Sequence, residues 1–167
     1  MAQIIFVSHA EGPIRNAVLW QVYHQLAPQA ANPHSFWLGS QREERNDPQQ
    51  LVLTLQNHPT KFKAFLSVHG RHVGVLCCIP QLTTILNGIE MLAGEGANII
   101  VCGMQSVNEL SEQFLRGGLQ RIGHEYVDTF YLQNRVPRNL HIDANILHYG
   151  ILNGAAQEIV NRIINAI

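Results

Sequence analysis

The chain has 167 residues, of which 46% are apolar and 14% are charged, and its formal net charge is −1. This length and apolar content predict one folded domain over residues 1–167 and argue against intrinsic disorder. The near-neutral charge disfavours nucleic acid as a partner, and the apolar runs are too short to cross a membrane.

The amino-terminal segment and the cysteines both favour a cytoplasmic location. The opening sequence MAQIIFVSHA lacks the basic stretch and the small-residue cleavage site of a secretory signal. The chain has three cysteines, Cys77, Cys78 and Cys102. Their number is odd, the first two are adjacent, and no CxxC motif is present. This pattern indicates neither a disulfide framework nor a zinc site, so we expect reduced thiols.

Short apolar runs rich in Val and Ile alternate with amphipathic stretches along the chain. The charged stretch QREERND (41–47) is predicted to be a solvated loop. Residues 73–78 either extend the third predicted strand or form a separate short strand. In chain order we predict a strand over 3–8, a helix over 12–28, a strand over 34–38, a helix over 48–58, a strand over 62–68, a helix over 80–94, a strand over 97–102, a helix over 106–118, a strand over 126–132 and a helix from 143 to 167.

This alternation of strands and helices favours an α/β fold. Parallel strands need crossover connections, and helices supply them here, so we predict a mainly parallel sheet of about five strands. With helices on both faces, the architecture is a three-layer sandwich, either flavodoxin-like or Rossmann-like. The strand order stays open.

Candidate site residues follow the predicted strands, because open parallel sheets bind ligands beyond the carboxyl ends of their strands. Catalytic roles are predicted for Cys102 and His9. Ligand-binding roles are predicted for His69, Gly70, Arg71 and Gly103.

One anion site is predicted from these residues. In a flavodoxin-like order the first and third strands are neighbours, so His9 and His69 would face one crevice. Arg71 would hold an anion bidentately, and the helix start at Gly12-Pro13 would supply free backbone N–H groups. The positive surroundings would keep His9 neutral, and able to act as a base or nucleophile.

Each candidate also has a structural interpretation. His9, His69 and Arg71 fit solvated loop positions at strand ends. Cys102, at the end of an apolar strand, fits a buried and inert thiol. These alternatives stay open at the level of the sequence.

The sequence predicts no metal site and no cofactor. Asp143 fits a helix cap better than a metal ligand, and His148 follows it by five residues rather than at the i, i+4 spacing of a helical metal pair, so the set His141, Asp143 and His148 is not expected to bind metal. The motifs GxxxxGK[ST], GxGxxG and GxSxG are absent. We therefore expect no phosphate loop, no dinucleotide site and no hydrolase of the GxSxG type.

The segment over residues 51–103 resembles the DsrE/DsrF-like sulfur-relay family. A strand ends in His-Gly within FLSVHG (65–70), a helix follows, and LAGEGANIIVCG (92–103) is similar to the family's strand ending in Cys-Gly. The resemblance implies a small homo-oligomeric α/β protein whose strand-end cysteine, Cys102 here, carries sulfur as a persulfide. It also implies a sulfur-carrier protein as a partner.

A second, shorter segment resembles another family. IIFVSHAEG (4–12) is similar to the first strand of mannose-type phosphotransferase IIA domains, in which a strand-end histidine carries a phosphoryl group. The resemblance implies that His9 is the carrier.

The last predicted helix favours self-association. Its apolar positions cover more than the roughly 100° stripe that one buried face needs, so a second face packs against another subunit or a neighbouring helix of the same chain. A weakly charged surface with 14 Gln and 13 Asn also favours an oligomer. The apolar positions are Ile146, Leu147, Ile151, Leu152, Ile159, Val160, Ile163, Ile164 and Ile167.

Three functions remain open at this point. The first is a small cytoplasmic sulfur-relay or anion-binding protein that works through Cys102. The second is a phosphoryl carrier or enzyme that acts through His9, with His69 and Arg71 holding an anion. The third is an oligomeric interaction protein without catalysis.

Overall fold

The computed structural model describes residues 1–46, 61–105, 109–136 and 146–166, and the predicted helix over 48–58 lies outside them. Seven strands and four α-helices are present in the described ranges. In chain order they are β1 (Gln3–Ser8), α1 (Gly12–Leu26), β2 (His34–Leu38), β3 (Gln41–Arg45), β4 (Phe62–Val68), β5 (Arg71–Cys77), α2 (Leu82–Gly94), β6 (Ile99–Met104), α3 (Glu109–Arg121), β7 (Glu125–Tyr131) and α4 (Ile146–Ala166).

These strands form one mixed sheet in the order β3-β2-β4-β5-β6-β1-β7. Strands β5, β6, β1 and β7 are parallel to one another, whereas β4 runs antiparallel to β5 and β2 runs antiparallel to both β3 and β4. The α/β class is confirmed. The expected sheet of about five mainly parallel strands is wrong. Two segments beyond the five predicted strands, β3 and β5, also form strands of this sheet.

The first of these segments is the charged stretch that was predicted to be a loop. It forms the edge strand β3, which follows β2 after a turn at Gly39, where φ is 60°. The Arg45 guanidinium lies 3.9 Å from the Phe36 ring centroid, and the Ser35 hydroxyl donates a 3.0 Å hydrogen bond to Glu44. One side of an edge strand faces water, so charged residues are tolerated there and oppose pairing with another chain.

The second segment is β5, which pairs with β4 in a hairpin. The two turn residues, His69 and Gly70, both have positive φ angles, 51° and 78°. Such a two-residue turn matches the right-handed twist of the strands that it joins. The chain therefore reverses after β4, and no helix crosses over at this point.

Helices cover the sheet on both faces and bury two hydrophobic layers. Alternate residues of β1 show this division: Ile5 and Val7 pack with α1 and α4, whereas Ile4 and Phe6 pack with α2 and α3. Successive side chains of a strand point to opposite faces, so a run that is apolar throughout can fill both layers. The predicted three-layer arrangement is thus present around a mixed sheet.

The broad apolar arc of α4 is largely buried within the chain. The helix lies alongside α1, and Leu152, Ile159 and Ile163 are fully buried in the same layer. The second buried face predicted for this helix is therefore met by a neighbouring helix, although Ile151 is 40% exposed. Self-association stays a prediction. Within the described residues, no helix combines the length and the hydropathy that a membrane span requires.

Candidate functional site

The sheet topology separates the residues that were expected to share an anion site. Strand β4 runs antiparallel to β5, so the His69-Gly70 turn lies where β5, β6 and β1 begin. His9 follows the carboxyl end of β1, at the opposite edge of the sheet. The predicted crevice formed by His9, His69 and Arg71 is therefore wrong, and the cause is the reversal of the chain after β4.

His9 is fully buried and occupies a structural position. Its Nδ1 accepts a 2.9 Å hydrogen bond from the Glu11 backbone N–H, so the ring proton is on Nε2 and is donated to the Val136 carbonyl at 3.1 Å. The imidazole joins the loop after β1 to the segment after β7. Neither ring nitrogen is free to accept a phosphoryl group.

His69, Gly70 and Arg71 are exposed at the hairpin turn. The adjacent His72 stacks on Phe65 with ring centroids 5.1 Å apart, and its backbone N–H donates to Asn98 Oδ1. This edge of the sheet is thus closed by the turn and by neighbouring polar groups.

Cys102 lies within β6 and is completely buried. Burial, together with a hydrogen bond to the Cys78 thiol, holds the pKa of the Cys102 thiol well above its usual range. A sulfur-relay thiol must be accessible and easily ionised, and Cys102 has neither property.

Gly103, predicted to bind a ligand, instead makes room for two side chains of α1. A Cβ at this position would lie 2.8 Å from Leu19 Cδ1 and 3.1 Å from Arg15 Cδ. The glycine therefore allows Arg15 to lie flat against the carboxyl end of β6.

The thiol that does face solvent at this edge is Cys78. It is partly buried, follows β5 directly and lines a pocket of about 330 Å³. This volume is at the small end of the roughly 300–1,000 Å³ of ligand pockets. The pocket is also lined by Lys61 and Lys63 from the start of β4 and by Thr84 and Asn87 from α2.

The hairpin register brings the lysines to the thiol. Phe62 pairs with Cys77 and Lys63 pairs with Leu76, so Lys61 lies alongside Cys78 one position further on. Residues directly opposite each other in an antiparallel pair point to the same face. Both lysines therefore approach Cys78 from the face that α2 covers.

Three neighbouring groups favour the ionised form of Cys78. A hydrogen bond donated by the Cys102 thiol lowers the pKa of Cys78 most, burial acts in the opposite direction, and the positive charges of Arg15 and Lys63 lower it further, for a net decrease. In the structure the Cys102 thiol donates a 3.4 Å hydrogen bond to the Gly103 carbonyl oxygen. An ionised acceptor forms the stronger hydrogen bond, so ionisation of Cys78 favours the thiol–thiolate contact.

Arg15 is a buried positive charge beside these cysteines. It is 4% exposed, and its Nη1 donates a 2.7 Å hydrogen bond to the His9 carbonyl. Burial lowers the pKa of the guanidinium, which still remains protonated at neutral pH. Its charge acts on the thiols through a poorly solvated region, where it is screened less than at the surface.

Cys77 is adjacent to Cys78 in the sequence but lies on the other face of the sheet. Its thiol donates a 3.3 Å hydrogen bond to Asn16 Oδ1 in α1, and burial raises its pKa to about 12. The alternation of a strand thus places a partly exposed thiol and a buried one on opposite faces across a single peptide bond.

The sequence contained a signal for this site that our sequence analysis missed. Pairing outward from a two-residue turn at His69-Gly70 places residue 62 opposite 77, and therefore Lys61 opposite Cys78. An HG pair between two apolar runs is compatible with such a turn. Arg15 carried a weaker signal, its position just after the first strand, but its burial depends on tertiary packing.

No group of three or more His, Cys, Asp or Glu side chains suited to a metal ion occurs in the part of the chain that the structure describes. The side chains of His141, Asp143 and His148 lie outside that part. Comparison of the chain with protein families, with characterised proteins and with solved structures gave no significant match. The resemblance to DsrE/DsrF-like proteins therefore stays a prediction.

Proposed function

We propose that this chain is a thiol-based sulfur carrier and that Cys78, not Cys102, is the residue that carries the sulfur. The observation that supports this most directly is the placement of a partly exposed thiol, with a lowered pKa, in a pocket that both lysines of the chain line. A thiolate is the nucleophilic form of cysteine, and a positively charged, partly exposed setting is typical of reactive cysteines.

The transfer step follows from ordinary thiol chemistry. The Cys78 thiolate attacks the outer sulfur of a hydropersulfide donor, R–S–SH, and a new S–S bond forms on Cys78. The S–S bond of the donor breaks, and the electron pair leaves with the donor as R–S⁻. Cys78 then holds a persulfide, and because sulfur is exchanged without net oxidation, no other oxidant is needed.

Cys102 has a positioning role in this proposal. Once Cys78 is ionised, the buried Cys102 S–H donates to its thiolate in place of the Gly103 carbonyl, and so stabilises the attacking group without touching the donor. Self-association, a cytoplasmic location and a sulfur-accepting protein partner belong to the same hypothesis as further predictions. The phosphoryl-carrier alternative is not favoured, because both ring nitrogens of His9 are hydrogen bonded.

Persulfide mapping tests the proposal. After incubation with the hydropersulfide of mercaptoethanol, trapping of persulfides and peptide mass spectrometry are expected to locate an added sulfur atom on Cys78. Cys78→Ser is expected to lose the modification, whereas the matched variant Cys77→Ser is expected to retain it. An unmodified Cys78 in folded protein, with or without sulfur on another cysteine, contradicts the proposal.

A further inference from the structure

The charges around Cys78 indicate which kind of donor the site would accept. The chain has only two lysines, Lys61 and Lys63, and both line the pocket that contains Cys78. No acidic residue lines this pocket among the described residues. The net charge of the chain is −1, so this concentration of positive charge is local and does not follow from composition.

Neither lysine is neutralised by an ion pair in the described ranges. The ion pairs found there all involve arginine or histidine, and none includes Lys61 or Lys63. Lys63 is half-buried and Lys61 is exposed, and both line the pocket. Among the described residues, no carboxylate therefore competes with an anion for the two ammonium groups.

Hydrogen-bonding groups complete the lining. Thr84 and Asn87, from the first two turns of α2, also line the pocket. A hydroxyl and an amide can each donate to an oxygen atom. The pocket therefore combines a nucleophile, two ammonium groups and neutral donors within a volume suited to a small oxyanion.

We infer that the sulfur donor is a small anionic sulfane compound of the thiosulfate type, whose oxyanion group is held by Lys61 and Lys63 while its outer sulfur faces Cys78. This inference rests on the function proposed above and specifies its substrate class. The lysines are binding residues, because they hold the end of the donor that does not react.

The corresponding step is balanced without an added oxidant. The Cys78 thiolate attacks the outer sulfur of S–SO₃²⁻, a new S–S bond forms on Cys78, and the S–S bond of thiosulfate breaks. The bonding electron pair leaves with the sulfonate group as sulfite, SO₃²⁻, and Cys78 is left as the persulfide anion. Because the leaving group gains negative charge, the lysines also stabilise the departing sulfite.

The test compares a donor that carries an oxyanion group with one that lacks it, on the same thiol. Thiosulfate and the hydropersulfide of mercaptoethanol are used as probes, with sulfite release and the Cys78 persulfide as the readouts. For Lys61→Gln/Lys63→Gln we expect the second-order rate constant with thiosulfate to fall by about tenfold or more, as loss of two nearby charges implies. With the hydropersulfide we expect a change of less than about threefold, because it has no oxyanion group for the lysines to hold.

A matched control removes the same charge elsewhere. Arg71→Gln/Arg135→Gln eliminates two exposed positive charges away from the pocket, and it is expected to leave both rate constants within about twofold of wild type. In the unmodified protein, added salt is expected to slow the thiosulfate reaction more than the hydropersulfide reaction, which tests the inference without any substitution.

The outcomes separate this inference from the proposed function. If the lysine variant retains the wild-type rate constant with thiosulfate, recognition of the anion by the lysines is wrong, while Cys78 remains the carrier. The same conclusion follows if its rate constants with the two donors fall by the same factor. If Cys78 accepts sulfur from the hydropersulfide but never from thiosulfate, the substrate class is wrong. If neither donor modifies Cys78, the carrier function itself fails.

Discussion

Positively charged side chains lie near both ends of strand β5, in very different surroundings. At its beginning, Arg71 is exposed beside a hairpin turn, where water solvates the guanidinium. Beyond its last residue, Cys78 lies in a pocket with two lysines, and the nearby Arg15 is 4% exposed. Only at this second end is one of the charges, that of Arg15, buried, and only there does a positive charge lower the pKa of a thiol.

The topology of the sheet produces this difference. Strands β5 and β6 run parallel, and the chain passes from β5 to α2 beside the pocket that contains Cys78. At the opposite edge, β4 and β5 are joined directly by a two-residue turn. A ligand site is therefore expected at the carboxyl edge, and burial there makes each charge more effective.

The largest expected difference concerns the alkylation rates of the cysteines. With iodoacetamide at neutral pH, Cys78 is expected to react about 100-fold faster than Cys77 or Cys102, because buried thiols are reached only after local opening of the structure. Peptide mass spectrometry over a time course measures the three rates separately. Equal rates for Cys78 and Cys102 would mean that the pocket does not distinguish the two thiols.

Stability is expected to depend on Arg15 far more than on Arg71. Arg15→Met removes the hydrogen bond to the buried His9 carbonyl, and the free energy of unfolding is expected to fall by about 1–3 kcal/mol. Arg71→Met is the matched control at the solvated edge and is expected to change it by less than about 0.5 kcal/mol. Urea unfolding followed by circular dichroism measures both values, and a similar loss in the two variants would contradict the contrast between the edges.

The pH dependence of alkylation is expected to report the hydrogen bond between the two thiols. The pKa of Cys78 is lowered from 9.0, so its thiolate persists to lower pH than that of an ordinary cysteine. Cys102→Ala removes the donor and should move the midpoint of the Cys78 rate–pH profile upward by about one to two pH units, since a hydrogen bond to a charged group contributes roughly 1.5–3 kcal/mol.

A conservative variant separates the hydrogen bond from packing. Cys102→Ser keeps a donor at the same position and is expected to move the midpoint less than Cys102→Ala does. The two variants are compared under conditions in which the same fraction of each is folded. An unchanged midpoint in the alanine variant would show that Cys102 does not stabilise the Cys78 thiolate.

The smallest expected effect lies at the hairpin turn. His69 has a φ of 51°, a left-handed conformation in which Asn is more readily accommodated. His69→Asn is therefore expected to raise the free energy of unfolding by up to about 1 kcal/mol. The alkylation rate of Cys78 should stay the same, because the turn lies at the opposite edge, and a changed rate would indicate coupling between the two ends of β5.

Local sequence patterns predicted most of the elements but not the direction in which they run. The strands over 3–8, 34–38 and 62–68 were predicted correctly, because their apolar runs fit no amphipathic helix. The edge strand QREER was missed because an exposed strand has no apolar pattern to distinguish it from a loop. The helix α3 continues past Gly117 to Arg121, since packing against the sheet offsets the low helix propensity of glycine.

The sequence alone determined the α/β class of the protein and placed cysteine, histidine and glycine residues at the ends of predicted strands. Only the tertiary structure decided which of these groups meet. The reversal at His69-Gly70 moved His69 and Arg71 to one edge and aligned Lys61 with Cys78 at the other. Burial then made Cys102 a hydrogen-bond donor rather than a nucleophile, because desolvation penalises its ionised form. Strand direction and burial arise from contacts between residues that are far apart in the chain, so no local pattern determines them.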